Sequence, residues 1–264
     1  MTTPSPRTCP NCGGETATRL EAYSPAEWDV VRCQTCAMVY LQNPPPYEAL
    51  EEDFAWEKTY VAKKKKGGST PISGLSRWLR ARLDPWRRER ADSRYLNWFG
   101  PGRVLDIGCG ARLRVAAPIV PFGVELSTAL WKRSDAAMRA LGGYCLHDAG
   151  ATGVWSFDEG FFDGVIMHSY LEHEVEVQSV LKGVHRCLKP GGKVFIRVPN
   201  FGSVNRRVVG RSWCGFRHPD HVNYFTLATL RSVAAKAGFT ATLLNRANFW
   251  FDDNIQVLLT RQPT

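Results

Sequence analysis

Four cysteines in two pairs, Cys9-Pro10-Asn11-Cys12 and Cys33-Gln34-Thr35-Cys36, carry the sharpest chemical signal in the chain. A CxxC turn points both sulfurs at one place. Two such turns, twenty residues apart, make a tetrahedral thiolate site suited to Zn²⁺. Gly13 permits the positive φ that such a knuckle needs. Four thiolates leave no coordination position open, so the metal is expected to be structural and to supply the folding energy of a module too small to bury much core. A pair of disulfides, disfavoured in a reducing compartment, and an iron site are the alternatives for the same residues. The other cysteines, Cys109, Cys145, Cys187 and Cys214, are scattered and read as small buried hydrophobes.

The second constellation is Arg103-Val104-Leu105-Asp106-Ile107-Gly108-Cys109-Gly110. A short apolar strand that ends in an acid and a glycine turn is the ligand-binding corner of a doubly wound α/β sheet. Without a Cβ, Gly108 and Gly110 let a ligand approach the backbone, and Asp106 fixes the turn. Glu125 follows Asp106 by 19 positions, at the end of Phe122-Gly123-Val124-Glu125. That matches the rule that an acid about 20 residues beyond the glycine turn binds ribose hydroxyls.

The elements that must position these groups alternate. After Gly110, helix signals run to about Ala117 and stop at Pro118. A helix capped by Ser127 carries Leu130 to Leu141; strands follow at 143–147 and 161–167. Val180 to Leu188 reads as a helix, residues 189–192 as a turn and 193–198 as a strand. Thr226 caps a helix that Gly238 stops, and two strands close the chain near 239–244 and 255–259. Alternating strands and helices mean a parallel sheet. Ahead of them, Met38 to Leu41 reads as a strand, 43–46 as a stiff Pro-rich linker and 47–60 as an aromatic, acidic and partly helical stretch. Lys63 to Lys66 reads as a basic loop, and apolar spacing with an Asp84-Pro85 cap predicts helices over 74–83 and 85–98. The expected organisation is a zinc module over 1–46, a linker, loop and helical segment over 47–99, and an α/β domain over 100–264. The chain shows no internal repeat.

Composition bounds the rest. The 264 residues are 44% hydrophobic and include nine tryptophans, ample for a core. No apolar run of membrane-spanning length occurs, and the polar N-terminus lacks a secretory core, so the cytoplasm is the expected compartment. A net charge of +9 points to an acidic partner or to a solvated basic surface.

Together these residues resemble the class I S-adenosylmethionine-dependent methyltransferases. The carrying pieces are 104–110, Gly123-Val124-Glu125-Leu126-Ser127, His147-Asp148-Ala149, Phe162-Asp163-Gly164-Val165-Ile166, Tyr170-Leu171-Glu172-His173 and Leu188-Lys189-Pro190-Gly191-Gly192, in that order. The resemblance covers about residues 75–264. It implies a Rossmann-like, mostly parallel seven-stranded sheet with its last strand antiparallel, and the cofactor S-adenosylmethionine at the strands' carboxyl ends. By position, Asp106, Gly108, Cys109 and Gly110 would lie beneath the methionine and sugar, and Glu125 would accept the ribose hydroxyls. Asp148 would accept the adenine amino group, Leu126 and Ala149 would flank the ring, and Met167 and His168 would line the methionyl end. Asp163 is expected to order its strand. Two departures stand out. Arg112 occupies the family's third glycine position, and the span to Glu125 is short, so the first helix is expected to be truncated.

A four-cysteine module ahead of this core is similar to bacterial methyltransferases of sugars and natural products. His218-Pro219-Asp220-His221-Val222-Asn223-Tyr224 resembles their substrate segment. On that match His221 and Asp220 are the acid/base candidates, with His173 across the cleft and Tyr224 nearby. An imidazole is a suitable base for an alcohol or carbon acid, and a neighbouring carboxylate orients it. The expected reaction is methyl transfer to oxygen or carbon of a small acceptor, anionic or nucleotide-linked in keeping with the charge. A homodimer sharing the zinc module is allowed. The zinc module and charge also fit an RNA methyltransferase, but no amine-site or catalytic-cysteine motif of that class is present. A non-catalytic binding protein of the same fold is the third reading, motivated by Arg112.

Overall fold

The computed structural model describes residues 6–25, 27–45 and 91–262. The aromatic stretch 47–60, the lysine loop 63–66 and the expected helix 74–83 lie outside them. Around the cysteine pairs runs an antiparallel meander of β1 (Ala17–Arg19), β2 (Val30–Cys33) and β3 (Val39–Leu41). Its fourth strand comes from far along the chain: Asn223–Tyr224 pairs with β3, Val39 opposite Tyr224 and Tyr40 opposite Asn223.

The helix expected over 85–98 is described from Ala91 and ends at Phe99 (α1, Ala91–Phe99). Beyond it lies β4 (Arg103–Ile107), whose Val104, Leu105 and Ile107 are buried, as the apolar run of a strand covered on both faces requires. β5 (Val120–Glu125) pairs with it in parallel.

The expected helix between these strands does not form. Residues 108–119 hold no helical turn. Pro118 and Pro121 deny the far end a helical hydrogen-bond ladder. Arg114 folds back onto the Asp106 carboxylate and the Cys109 carbonyl. Val115 and Ile119 then bury themselves with Tyr95, Phe99, Val104, Ile166 and Phe195, so the connection still covers the sheet face that a helix would shield.

From there the alternation is regular. α2 (Thr128–Arg139) is capped by Ser127, whose side chain accepts from Leu130 N–H. β6 (Tyr144–His147), the short α3 (Gly150–Gly153), β7 (Phe162–His168) and α4 (Val177–Cys187) follow. Val177, Val180, Leu181 and Val184 are the buried stripe of α4 at i, i+3, i+4 and i+7. The turn expected at 189–192 is a break inside β8 (Leu188–Pro199). Leu188 faces Phe162 and Lys193 faces Gly164, so the residues between are extra on one strand. After α5 (Val204–Val209) and β9 (Asn223–Tyr224) comes α6 (Leu227–Lys236), where Thr226 and Thr229 form a reciprocal cap. β10 (Phe239–Leu243) and β11 (Asn254–Arg261) complete the sheet.

Its seven strands run β10-β11-β8-β7-β4-β5-β6, with β11 antiparallel to both neighbours. This is the Rossmann-like methyltransferase architecture. Cys9, Val31, Cys33, Met38 and Tyr40 belong to the same apolar cluster as Leu105, Val165, Ile196 and Leu230, so the cysteine-bearing meander and the large sheet share one core. Among the described residues no helix is long and apolar enough to cross a membrane.

Candidate active site and four-cysteine cluster

Gly13 at φ 72° and Ala37 at φ 59° close the two cysteine knuckles. Gly13 N–H reaches the Cys9 carbonyl and Ala37 N–H the Cys33 carbonyl. The turns bring Cys9 Sγ within 3.5 Å of Cys36 Sγ and Cys12 Sγ within 3.4 Å of Cys33 Sγ. All four sulfurs lie within 4.8 Å of one another. Tetrahedral zinc–thiolate bonds of about 2.3 Å put sulfurs about 3.8 Å apart, so the cage is of the right size for the ion. None of the four is in a disulfide.

The second site is assembled on one rim of the large sheet, because β4, β5, β6 and β7 are parallel neighbours and end on the same side. At the end of β4, Gly108 and Gly110 adopt φ values of 66° and 60°. A Cβ on Gly108 would stand 2.6 Å from the Tyr170 ring, so side-chain-free backbone is needed there on two counts. Cys109 contributes only main chain to this rim. Its thiol packs beneath, in a buried cluster with Met138 and Cys145.

Glu125 is buried at the end of β5, with Oε2 accepting Gly110 N–H at 2.8 Å and Oε1 accepting Ser127 N–H at 3.0 Å. It therefore ties the glycine turn to the cap of α2. Leu126 is half-buried beside it, and its carbonyl bonds His147, which stacks on Trp131. Asp148 and Ala149 follow β6. Asp148 Oδ1 accepts from Ala149 N–H and the Thr152 hydroxyl, organising the start of α3. Met167 is fully buried at the end of β7. Burial, reinforced by Arg197 and Arg114, pulls the neighbouring His168 down to about 3, so it is a neutral imidazole at physiological pH. Asp163 sits at the opposite end of β7 and accepts from Arg103 N–H and Lys189 Nζ, an ordering contact far from the rim.

Asp106 carries a feature that spacing does not reveal. Oδ2 accepts from Arg114 at 2.7 Å, whereas Oδ1 is buried and unpartnered among the described residues. The arginine that reaches this carboxylate is Arg114, not the exposed Arg112. Burial pushes the Asp106 carboxyl up to about 6, against the charge and hydrogen bond of Arg114. A folded value raised from 3.8 means that the native state holds more protons between pH 4 and 6, and stability falls as pH rises through that window. The effect is on the order of 3 kcal/mol. Asp106→Asn should flatten this part of the stability profile in denaturant unfolding followed from pH 4 to 7. Parallel profiles for the two proteins would refute it.

Beyond β7 the chain turns through Ser169, at φ 56°, into Tyr170-Leu171-Glu172-His173. This loop meets the segment 218–224. The Glu172 carbonyl accepts Val222 N–H and Asn223 N–H, and Asn223 Nδ2 donates to the Leu171 and Glu174 carbonyls. Arg7, ahead of the first knuckle, braces the junction by donating to the Leu41 and Val222 carbonyls and to Asn223 Oδ1. The rings of His173 and His221 meet edge to face with centroids 4.7 Å apart. Asp220 does not face its neighbour His221: Oδ1 lies 2.9 Å from His173 Nδ1, and Oδ2 pairs with Arg217. His221 Nδ1 bonds the Gly215 carbonyl instead. His173 loses to burial but gains more from the Asp220 hydrogen bond and charge, and the net shift is upward. Tyr224 is fully buried in β9, its hydroxyl 3.2 Å from His218 Nδ1, in a cluster with Trp213 and Phe201.

Comparison with known proteins gives a consistent answer. A family model described as a methyltransferase domain matches residues 76–244. An S-adenosylmethionine-dependent methyltransferase from Archaeoglobus fulgidus superposes with a TM-score of 0.53 at 18% identity, covering 77% of this chain and 99% of that one. Another from Mesorhizobium loti superposes with a TM-score of 0.51 at 16% identity, covering 68% and 100%. At these identities the likeness is one of fold. No curated protein matches the chain.

Proposed function

The chain belongs to the methyltransferase-domain family and is an S-adenosylmethionine-dependent methyltransferase; from that premise we propose that it methylates a small acceptor, a sugar or natural-product intermediate, at oxygen or carbon. The observation that carries the reading is the loop after β7, which sets Tyr170 against Gly108 and joins Glu172 to the segment 222–223. On one side stand the positive-φ glycines, Glu125 and Asp148; on the other stand buried Glu172, Asp220 and His221 with part-buried His173.

S-adenosylmethionine supplies a methyl group already activated on a sulfonium. The residues present fit it. Gly110, with open space where a Cβ would stand, admits it to the backbone, Glu125 accepts the ribose hydroxyls, Asp148 the adenine amino group, and the orphaned Asp106 Oδ1 a cationic donor from the methionyl end. The protein must then align the acceptor and take its proton. We assign that task to the polar group around His173 and His221, with Asp220 holding His173 and Tyr224 acting from behind through His218. The four cysteines hold a structural Zn²⁺. Its module braces the segment that carries His221 through β3 and Arg7.

Calorimetric titration with S-adenosylmethionine tests the cofactor half. Glu125→Ala should weaken binding by on the order of 30- to 100-fold, the loss expected when a buried charged acceptor of two hydroxyls is removed. Glu125→Gln, which keeps one acceptor oxygen, should fall between. Unchanged affinity in Glu125→Ala would remove the site from this rim.

A further inference from the structure

We propose that Glu172, His173 and His221 form a second metal centre that takes a divalent first-row transition-metal ion. It draws on the acceptor-side reading above for the ion's use but not for its binding.

One ligand atom from each residue lies within 4.8 Å of the others. The group is deep: Glu172 is 1% and His221 4% exposed. Glu172 Oε2 makes no hydrogen bond among the described residues. An orphaned buried carboxylate oxygen is costly, and a bound cation would offset that cost.

The imidazoles carry the independent sign. His173 Nδ1 lies 2.9 Å from Asp220 Oδ1 and 2.8 Å from the Asp220 carbonyl, and His221 Nδ1 lies 2.9 Å from the Gly215 carbonyl. Each ring is thus oriented through Nδ1 by a carboxylate or a backbone carbonyl, so that in the neutral imidazole the proton sits on Nδ1. That is the outer-shell arrangement of metal-ligating histidines. Arg217 neutralises Asp220, so the charge presented to an ion comes from Glu172. The scaffold is also set, because Glu172 accepts the amides of Val222 and Asn223 and so locks the two contributing segments together.

Two nitrogens and one carboxylate without thiolate suit divalent first-row ions such as Zn²⁺, Fe²⁺ or Mn²⁺. Three protein ligands leave positions open, unlike the closed four-cysteine site. An ion there would hold an acceptor oxygen as a Lewis acid. With it in place, the ion would lower the acceptor hydroxyl's pKa so that its proton leaves to water, and the two imidazoles would serve as ligands in place of the free-base role assigned above.

The test uses the full-length, tag-free protein. After dialysis against micromolar Zn²⁺, elemental analysis should find two ions per chain, falling to one in Glu172→Gln and in His221→Ala. Because either substitution also removes a buried side chain on which folding draws, Mn²⁺ titration of the unmutated protein followed by electron paramagnetic resonance gives a second reading. Mn²⁺ has little affinity for thiolates, so it reports the nitrogen–oxygen site alone, with one bound ion expected. One Zn²⁺ per chain with no bound Mn²⁺ overturns the metal centre and leaves the pair as a metal-free imidazole base, with the proposed function intact. Two ions in the variants as well would place the second ion elsewhere and overturn it equally.

Discussion

Gly143→Ala should destabilise the protein by about 3 kcal/mol or more, the upper range for a single overpacking substitution. An added Cβ would fall on the Pro121 carbonyl oxygen, well inside contact distance. Pro121 cannot retreat. It lies within β5, opposite Val104 of β4, and the very next residues, Phe122 and Tyr144, begin the β5–β6 pairing. Gly143 N–H is itself held by the Met138 carbonyl. Relief therefore requires β6 to part from β5, which displaces Asp148 at its end. Denaturant unfolding should show the lower midpoint, and S-adenosylmethionine affinity should fall with it. Gly160→Ala is the control: open space surrounds a φ of 61°, so only the backbone term of about 1 kcal/mol is expected. Equal midpoints for Gly143→Ala and the unmutated protein would show that the strand entry relaxes freely.

Cys33→Ser should have the widest reach. Removing one thiolate from a four-thiolate site costs most of the metal's contribution, and the meander is too small to stay folded without it. The consequence extends to the active-site rim, because β3 is the strand partner of β9 and Leu41 N–H reaches the Val222 carbonyl. Hydrogen exchange should report loss of protection both in 30–41 and in 222–224, and methyl transfer should fall at least tenfold. Chelation of the native protein should reproduce the pattern. Retained protection at 222–224 after the meander has unfolded would show that the Glu172 carbonyl alone holds that segment, and the bracing role would be withdrawn.

Local signals were legible where they are short-range. The CxxC spacing predicts a cage, and Ser127 and Thr226 predict helix starts that hydrogen bonds confirm. The apolar run at 103–107 predicts a buried central strand, and β4 is one. Helix signals after Gly110 predict a truncated helix to about Ala117, and none forms. What overrode it was tertiary: Arg114 found a buried carboxylate, and Val115 and Ile119 found a sheet face to cover. Asp220 shows the same limit. Adjacent in sequence to His221, it turns instead to His173, 47 positions away, because the chain reverses through a turn at 218–220, closed by His221 N–H on the Arg217 carbonyl, and Arg217 and His173 meet the carboxylate there. Glu172 gave a signal only within a motif. Its importance rests on an oxygen left unpartnered by burial, which no spacing encodes.

The sequence by itself determined the fold class, the strand order's alternating pattern, the four-cysteine cage and the corner where Asp106, Gly108, Gly110 and Glu125 gather. These follow from residue periodicity, glycine conformation and local turn geometry, all of which act over a few positions. The tertiary structure alone decided that β9 completes the cysteine-bearing sheet, that Arg114 reaches Asp106, that Tyr170 packs over Gly108, and that Glu172, His173 and His221 converge. Those outcomes depend on which buried donor meets which buried acceptor across long sequence separations. Desolvation makes each such meeting energetically decisive, yet nothing in the local sequence records the partner.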